Sequence, residues 1–340
     1  MKPSLPLRAM HAMHARHVYL ANGRCLASPG AFSRAFCAPP NSASRRHYSS
    51  STSGPQRSSS RKLEPISSDA ANPPATTRPP PLELPERKSD TSTFSHLFST
   101  GKAYLSFYKT GLKNIYINRQ LLQATSSASP GQPETRSHLQ LRTRTQHDLR
   151  CLPIFGVLLL ICGEFTPFVV LLVPSLVPFT CRIPAQIAKI QRTTEARRQQ
   201  SFADLSALTN GSEGGAAALS QRVKDGHAAR SLGLVGAFWD RIGPWAPAWL
   251  SRRRVRARLS FLALDDELLL KAGGVPALED SEVRLACAER GINVLGRSAS
   301  DLRGVLGAWL RRSASGRDGQ GQQARLELLT MQESRWPTHR

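Results

Sequence analysis

The run from Cys151 to Cys181 constrains this 340-residue chain more than any other feature: 31 residues that carry a single charge, Glu164. An apolar stretch of about 18 residues or more with few charges reads as a membrane-spanning helix. The window Ile154–Val173 holds fourteen Leu, Ile, Val or Phe residues. At about −0.45 kcal/mol each they contribute roughly −6 kcal/mol, against a penalty of about +3 kcal/mol for a central acid. Insertion wins. A buried core helix would not need so long an uninterrupted apolar run. Glu164 and the prolines Pro167, Pro174 and Pro178 are nevertheless unusual there. An acid in hydrocarbon normally faces a protein interior or a wet cavity, and prolines leave carbonyls that neighbouring helices or water must satisfy. The segment therefore reads either as part of an oligomeric, partly hydrated span or as a span that tolerates a protonated glutamate for packing. Arg136, Arg142, Arg144 and Arg150 precede the run, and Arg182, Lys189, Arg192, Arg197 and Arg198 follow it. With both flanks basic, charge asymmetry does not orient the span.

The charge elsewhere is one-sided too. Net charge is +22, and residues 1–63 contain ten basic residues and no acid. A cationic, acid-free N-terminus without an apolar core of 7–15 residues reads as a mitochondrial presequence rather than a secretory signal. It is expected over 1–48, with cleavage near Tyr48 in RRHYSS. Residues 49–92, with their SSSTSG, PP and PPP clusters, read as a disordered linker. Six cysteines without a C-x-x-C pair argue against a zinc site or a disulfide framework. No metal and no cofactor are expected. An enzyme is not expected either, since no nucleophile–base constellation or phosphate-cradling glycine loop stands out.

Within 93–150, Tyr104, Phe107, Tyr108, Leu112 and Ile115 recur at helical spacing among Lys102, Lys109 and Lys113. This reads as a basic amphipathic pre-membrane helix, and periodicity alone equally allows a core-packing one. The stretch NGSEGGAAA at 210–218 reads as a loop. Past it, Arg252, Arg253, Arg254, Arg256 and Arg258 form an arginine cluster, and Asp265, Asp266 and Glu267 read as caps at the start of a helix. A helix follows with Ser281 as its cap, Val283, Ala286 and Cys287 on one face, and Gly291 as its stop. Ser298 and Asp301 then form a weak capping box, before Leu302, Val305, Leu306, Trp309 and Leu310 on a plain packing stripe.

The stretch from Asp265 to Arg312 resembles the closing motif of Letm proteins, the leucine-zipper and EF-hand-containing transmembrane family of the mitochondrial inner membrane. The matching positions are Asp265, Asp266, Leu278, Glu282, Ala286, Cys287, Arg290, Gly291, Gly296, Leu302, Arg303, Leu306, Trp309 and Leu310. Pro153, Glu164, Pro167, Pro174 and Pro178 resemble the proline-glutamate-proline signature of the family's span, with small spacing shifts. Resemblance covers roughly residues 95–312. No D-x-[DN]-x-[DN]-G loop and no long coiled coil are present, so the chain is similar to the short members.

The resemblance implies an all-α fold: a single-pass membrane helix at 151–181, then a helical, 14-3-3-like ribosome-binding domain at 182–312. Its closing helix pair is similar to SAP-type nucleic-acid modules, and 313–340 is left as a basic disordered tail. Expected partners are the mitochondrial ribosome (through rRNA or ribosomal proteins), inner-membrane lipids and further copies of the chain. The expected place is the inner membrane, with the C-terminal domain in the matrix. Arg252, Arg253, Arg254, Arg256 and Arg258 are the expected phosphate-binding residues, since arginine makes forked phosphate contacts. A competing reading makes Glu164, with Pro167 beside it, the ion- or proton-carrying group of a potassium-proton or calcium-proton exchanger.

Overall fold

The computed structural model describes residues 68–86, 92–128, 133–162, 177–209, 219–243, 245–314 and 320–336, and among these every regular element is helical. The helices are α1 (Ser68–Ala71), α2 (Thr93–Ala128), α3 (Arg136–Cys162), α4 (Pro184–Thr209), α5 (Gln221–Ser231), α6 (Trp239–Ile242), α7 (Ala248–Lys271), α8 (Asp280–Glu289), α9 (Ala299–Ala314) and α10 (Gln320–Thr330). Short 3-10 turns lie at Ala75–Thr77, Phe179–Cys181, Val275–Ala277 and Glu333–Arg335.

The two long helices α2 and α3 run antiparallel. The Tyr108 and Phe155 rings meet at 6.0 Å, while Asn118 and Arg144 both reach the Ala75–Thr77 turn. Phe107, Tyr108 and Ile115 are buried with Phe155, Val177 and Ile183, so the apolar stripe of α2 packs a core. The turn at Phe179–Cys181 closes this small core. It lies so near α2 that a Cβ on Gly111 would stand 2.8 Å from the Cys181 Sγ and 2.9 Å from the Thr180 carbonyl oxygen. Of the expected span, the described parts are Cys151–Cys162, the apolar end of α3, whose first half is polar, and 177–181, which holds the closing turn. Glu164, Pro167 and Pro174 lie outside the described residues, as do the presequence and the 210–218 loop. No helix among the described residues is long and apolar enough to cross a membrane.

The larger core is built by α5 and α7–α10, with Ala71 of α1 and Leu139 of α3 entering it, and the helix boundaries have local causes. Pro184 opens α4, where its fixed φ suits the first helical position. Gly273 and Gly274 stop α7 with positive φ, and the Gly274 N–H donates to the Leu269 carbonyl at 2.8 Å. Gly291 stops α8 in the same way, with the Ile292 N–H on the Cys287 carbonyl. Ser298 accepts the Asp301 N–H at 3.1 Å, as the capping box requires. Ser281 does not cap α8: the helix starts at Asp280, behind Glu279, which makes no side-chain cap bond. Val283, Ala286, Cys287, Leu302, Leu306, Trp309 and Leu310 are all buried, as their spacing predicts.

Three segment boundaries differ from expectation. Residues 68–82 are not all linker: Ala71 and Thr77 are fully buried, and Asn72 bonds both the Ala277 carbonyl and the Glu279 N–H. The 93–150 segment does not stand apart, because Arg136, Gln140 and Arg144 of α3 enter the larger core. The expected tail is α10, with Leu326, Leu328, Leu329 and Trp336 buried. Apolar side chains on that short helix outweigh the glycine- and glutamine-rich stretch in front of it.

Helix α10 is held by His227 of α5, which is fully buried. Its Nε2 lies 3.0 Å from the Leu329 carbonyl and its Nδ1 2.9 Å from the Ser201 hydroxyl. A carbonyl only accepts, and the Leu329 carbonyl is nearer to Nε2 than the Ser201 carbonyl, at 3.3 Å, is to Nδ1, so Nε2 carries the proton and Nδ1 accepts from the Ser201 hydroxyl. Burial pushes the imidazole pKa down to about 4. The unfolded chain takes up this proton near pH 6.5, whereas the folded protein resists until about 4. Stability is therefore complete above 6.5 and falls through this window, by up to about 3 kcal/mol from this group. Urea unfolding of the native protein and His227→Gln at pH 7 and pH 4.5 measures it. The variant is expected to lose less on acidification; equal losses would assign the acid sensitivity to other groups.

Candidate functional site

Two charged constellations stand out, one buried and one exposed. In the buried one, Asp265 and Asp266 sit inside α7 rather than at its start, which corrects their reading as caps. Asp265 pairs with Arg290 at 2.7 Å, lies 3.0 Å from the Arg136 Nε, and accepts from Gln140 at 2.8 Å. Asp266 accepts from Arg290 at 2.6 Å, Arg325 at 2.8 Å, Ser313 at 3.1 Å and the Trp309 indole at 3.3 Å. Glu282 receives both terminal nitrogens of Arg144, at 2.7 and 2.9 Å. Burial alone would raise the Asp265 carboxyl, but Arg136 and Arg290 outweigh it and hold the pKa at about 2. For Arg290, burial works against the charge and the two aspartates more than restore it.

This network joins α3, α7, α8, α9 and α10. Its residues are closed to solvent and most of their charged atoms engage one another, so it fixes helix placement. It explains why Asp265, Asp266, Glu282, Arg290 and Trp309 occur together in the motif. Among the described residues no group of His, Cys, Asp and Glu is arranged to hold a metal ion.

The exposed constellation is the arginine face of α7. Arg252, Arg253 and Arg256 point outward. Arg254 is half-buried and donates to the Leu234 carbonyl at 2.6 Å. Arg258 is buried, donates to the Glu289 carbonyl at 3.0 Å and covers the Phe261 ring at 5.2 Å. The five predicted residues thus divide into three that face solvent and two engaged inside the fold. The division follows the helix: Val255, Leu259 and Leu262 face the core, and Arg258 falls among them. Arg222, exposed at the start of neighbouring α5, adds a cation that the linear cluster did not reveal. It lies one turn before Asp225, whose carboxylate is within electrostatic reach of Arg252 and Arg256. Glu164 and Pro167, the other predicted site residues, lie outside the described residues.

Fold and site define an all-helical domain fastened by a buried arginine–carboxylate network, with a basic helix face on its surface. Residues 234–320, which contain that face and most of the network, match the family described as LETM1-like, RBD. Residues 117–212 match the pentamidine resistance factor domain. The two matches, each over about a quarter of the chain, support the resemblance to the Letm family. No curated protein and no solved structure matches this chain. The likeness to a 14-3-3 bundle accordingly rests on the family resemblance alone.

Proposed function

We propose that this protein sits at the mitochondrial inner membrane and binds mitochondrial ribosomes on the matrix side, supporting membrane insertion of mitochondrially made proteins and ion homeostasis. The observation that carries this reading is the match of 234–320 to the family's ribosome-binding domain, with the exposed Arg252, Arg253 and Arg256 inside it. Three guanidinium groups on one helix suit phosphate, which arginine can grip through two parallel N–H donors. Binding is therefore expected to be electrostatic and salt-sensitive. Co-sedimentation with mitochondrial ribosomes from detergent extracts, at low and high salt, tests it. A protein that stays in the supernatant at low salt would end this reading.

One observation favours a second reading, the exchanger: the lone carboxylate of Glu164 in a 31-residue apolar run. Such a group is costly in hydrocarbon and is usually functional. Glu164→Gln keeps shape and removes the titratable charge. If Glu164 carries ions or protons, swelling-based potassium-proton exchange in mitochondria falls while ribosome co-purification persists. Unchanged exchange would leave the glutamate a packing role only.

A further inference from the structure

Helix α7 begins with a tryptophan that the fold does not use. Three tryptophans lie in the segment FWDRIGPWAPAWL at 238–250, and they divide. Trp239 is partly buried and packs against the larger core. The Trp245 ring meets the His227 ring at 6.4 Å and lies so close to α5 that a Cβ on Gly226 would stand 3.0 Å from it. Trp249, in the first turn of α7, is 68% exposed. Burying an aromatic ring is among the larger gains a fold can make, so a ring left in water contributes little to this one. Phe238 and Ile242, in the segment just before it, are exposed as well.

The neighbours of Trp249 on the helix are the three exposed arginines. Arg252, Arg253 and Arg256 follow it at i+3, i+4 and i+7, the spacing that puts side chains on one face. The indole and the guanidinium groups therefore form one solvent-facing stripe. Arg222 and Arg241 are exposed too, on α5 and α6. No exposed acid of this segment offsets them, since from 219 to 263 the sequence holds only Asp225 and Asp240. Asp225 is buried and accepts from Gln221 at 3.0 Å. Asp240 is held by Arg197 at 2.7 Å and by Arg230 at 3.3 Å. A cationic stripe with an aromatic ring at one end suits a polyanion whose units also carry flat rings.

Building on the ribosome-binding function above, we propose that this stripe binds an unpaired stretch of ribosomal RNA. A base stacks on Trp249 while neighbouring phosphates meet Arg252, Arg253 and Arg256. Stacking needs a base with a free face, and in a duplex both faces are covered by neighbouring pairs. Paired RNA would use the arginines alone and leave the indole in water. A protein partner is less well matched, since it would need an acidic surface beside an apolar hollow. Every unpaired nucleotide supplies one phosphate and one flat ring.

Full-length protein in detergent is titrated into fluorescent oligouridine, which stays unpaired, and into the duplex that oligouridine forms with oligoadenosine. Fluorescence anisotropy reads both affinities over a range of salt. Trp249→Ala is expected to weaken binding of the single strand about tenfold and to leave duplex binding unchanged. The slope of log K against log salt stays as in the native protein, because the indole neutralises no phosphate. Trp249→Phe, which keeps a flat ring, retains most of the affinity. Trp249 lies on the surface, so both variants fold, as circular dichroism checks. Equal losses on the two probes, or no loss on either, would overturn stacking on Trp249. A native protein that binds neither probe at low salt but co-sediments with ribosomes would overturn the RNA proposal alone and assign docking to a ribosomal protein. RNA binding with the expected Trp249 dependence, in a protein that stays out of the ribosome pellet, would keep the stripe as a site for unpaired RNA and end the ribosome reading.

Discussion

Replacing Asp266 by alanine is expected to cost about 3–5 kcal/mol, the usual penalty for leaving a buried charge without its partner. Four donors lose their acceptor at once: Arg290, Arg325, Ser313 and the Trp309 indole. Arg290 keeps Asp265, but Arg325 has no other carboxylate in this network. A domain is typically stable by about 5–15 kcal/mol, so the loss removes about a fifth or more of the total. Urea unfolding followed by circular dichroism reads it directly. A loss below about 1 kcal/mol would mean that water replaces the carboxylate and that the network is not the fastening described above. A simultaneous change of the whole cluster to well-packed apolar residues need not destabilise, because desolvation opposes the attraction among buried ions.

The second large effect concerns Arg252, Arg253 and Arg256. Each phosphate neutralised contributes about −0.7 to −0.9 to the slope of log K against log salt. Changing all three to glutamine is expected to flatten the salt dependence of ribosome binding by roughly two to three units. Arg254 and Arg258 are best left in place. Their hydrogen bonds to the Leu234 and Glu289 carbonyls would mix folding with binding. Glutamine retains helix propensity, so α7 persists in the triple variant. An unchanged affinity and slope in a folded variant would exclude this face as the docking surface.

What the sequence disclosed was governed by distance along the chain. The α9 stripe Leu302, Leu306, Trp309 and Leu310 was legible because periodicity is local, and Gly291 and Ser298 were legible because caps are. Asp265 and Asp266 were misread because nothing near them in the chain explains two buried acids. Their partners Arg136, Arg290 and Arg325 come from three other helices. The tail was misread for a related reason: composition averages over residues, while Leu326, Leu329 and Arg325 act through particular contacts. Arg258 resembled its four neighbours in sequence and differs only in which side of α7 it occupies. The apolar run illustrates the converse. Its length was plain, but the bond from Asp148 to the Phe179–Cys181 turn, which brings its flanks together, left no pattern in the residues between.

The docking of Asn72 onto Ala277 and Glu279 has a consequence in time rather than in space. These partners lie more than two hundred residues apart in the chain, yet share a hydrogen-bonded seam. Arg136 likewise reaches back to the Ala71 carbonyl while standing beside Asp265. Contacts that close such long loops must await most of the sequence, and folds rich in them reach the native state slowly. A chain threaded N-terminus first through a narrow pore would deliver Asn72 early and Ala277 late. In the interval, Ala71 of α1, Leu139 of α3 and the guanidinium groups of Arg136 and Arg144 would stand without their partners, until the helices that carry Asp265 and Glu282 arrive.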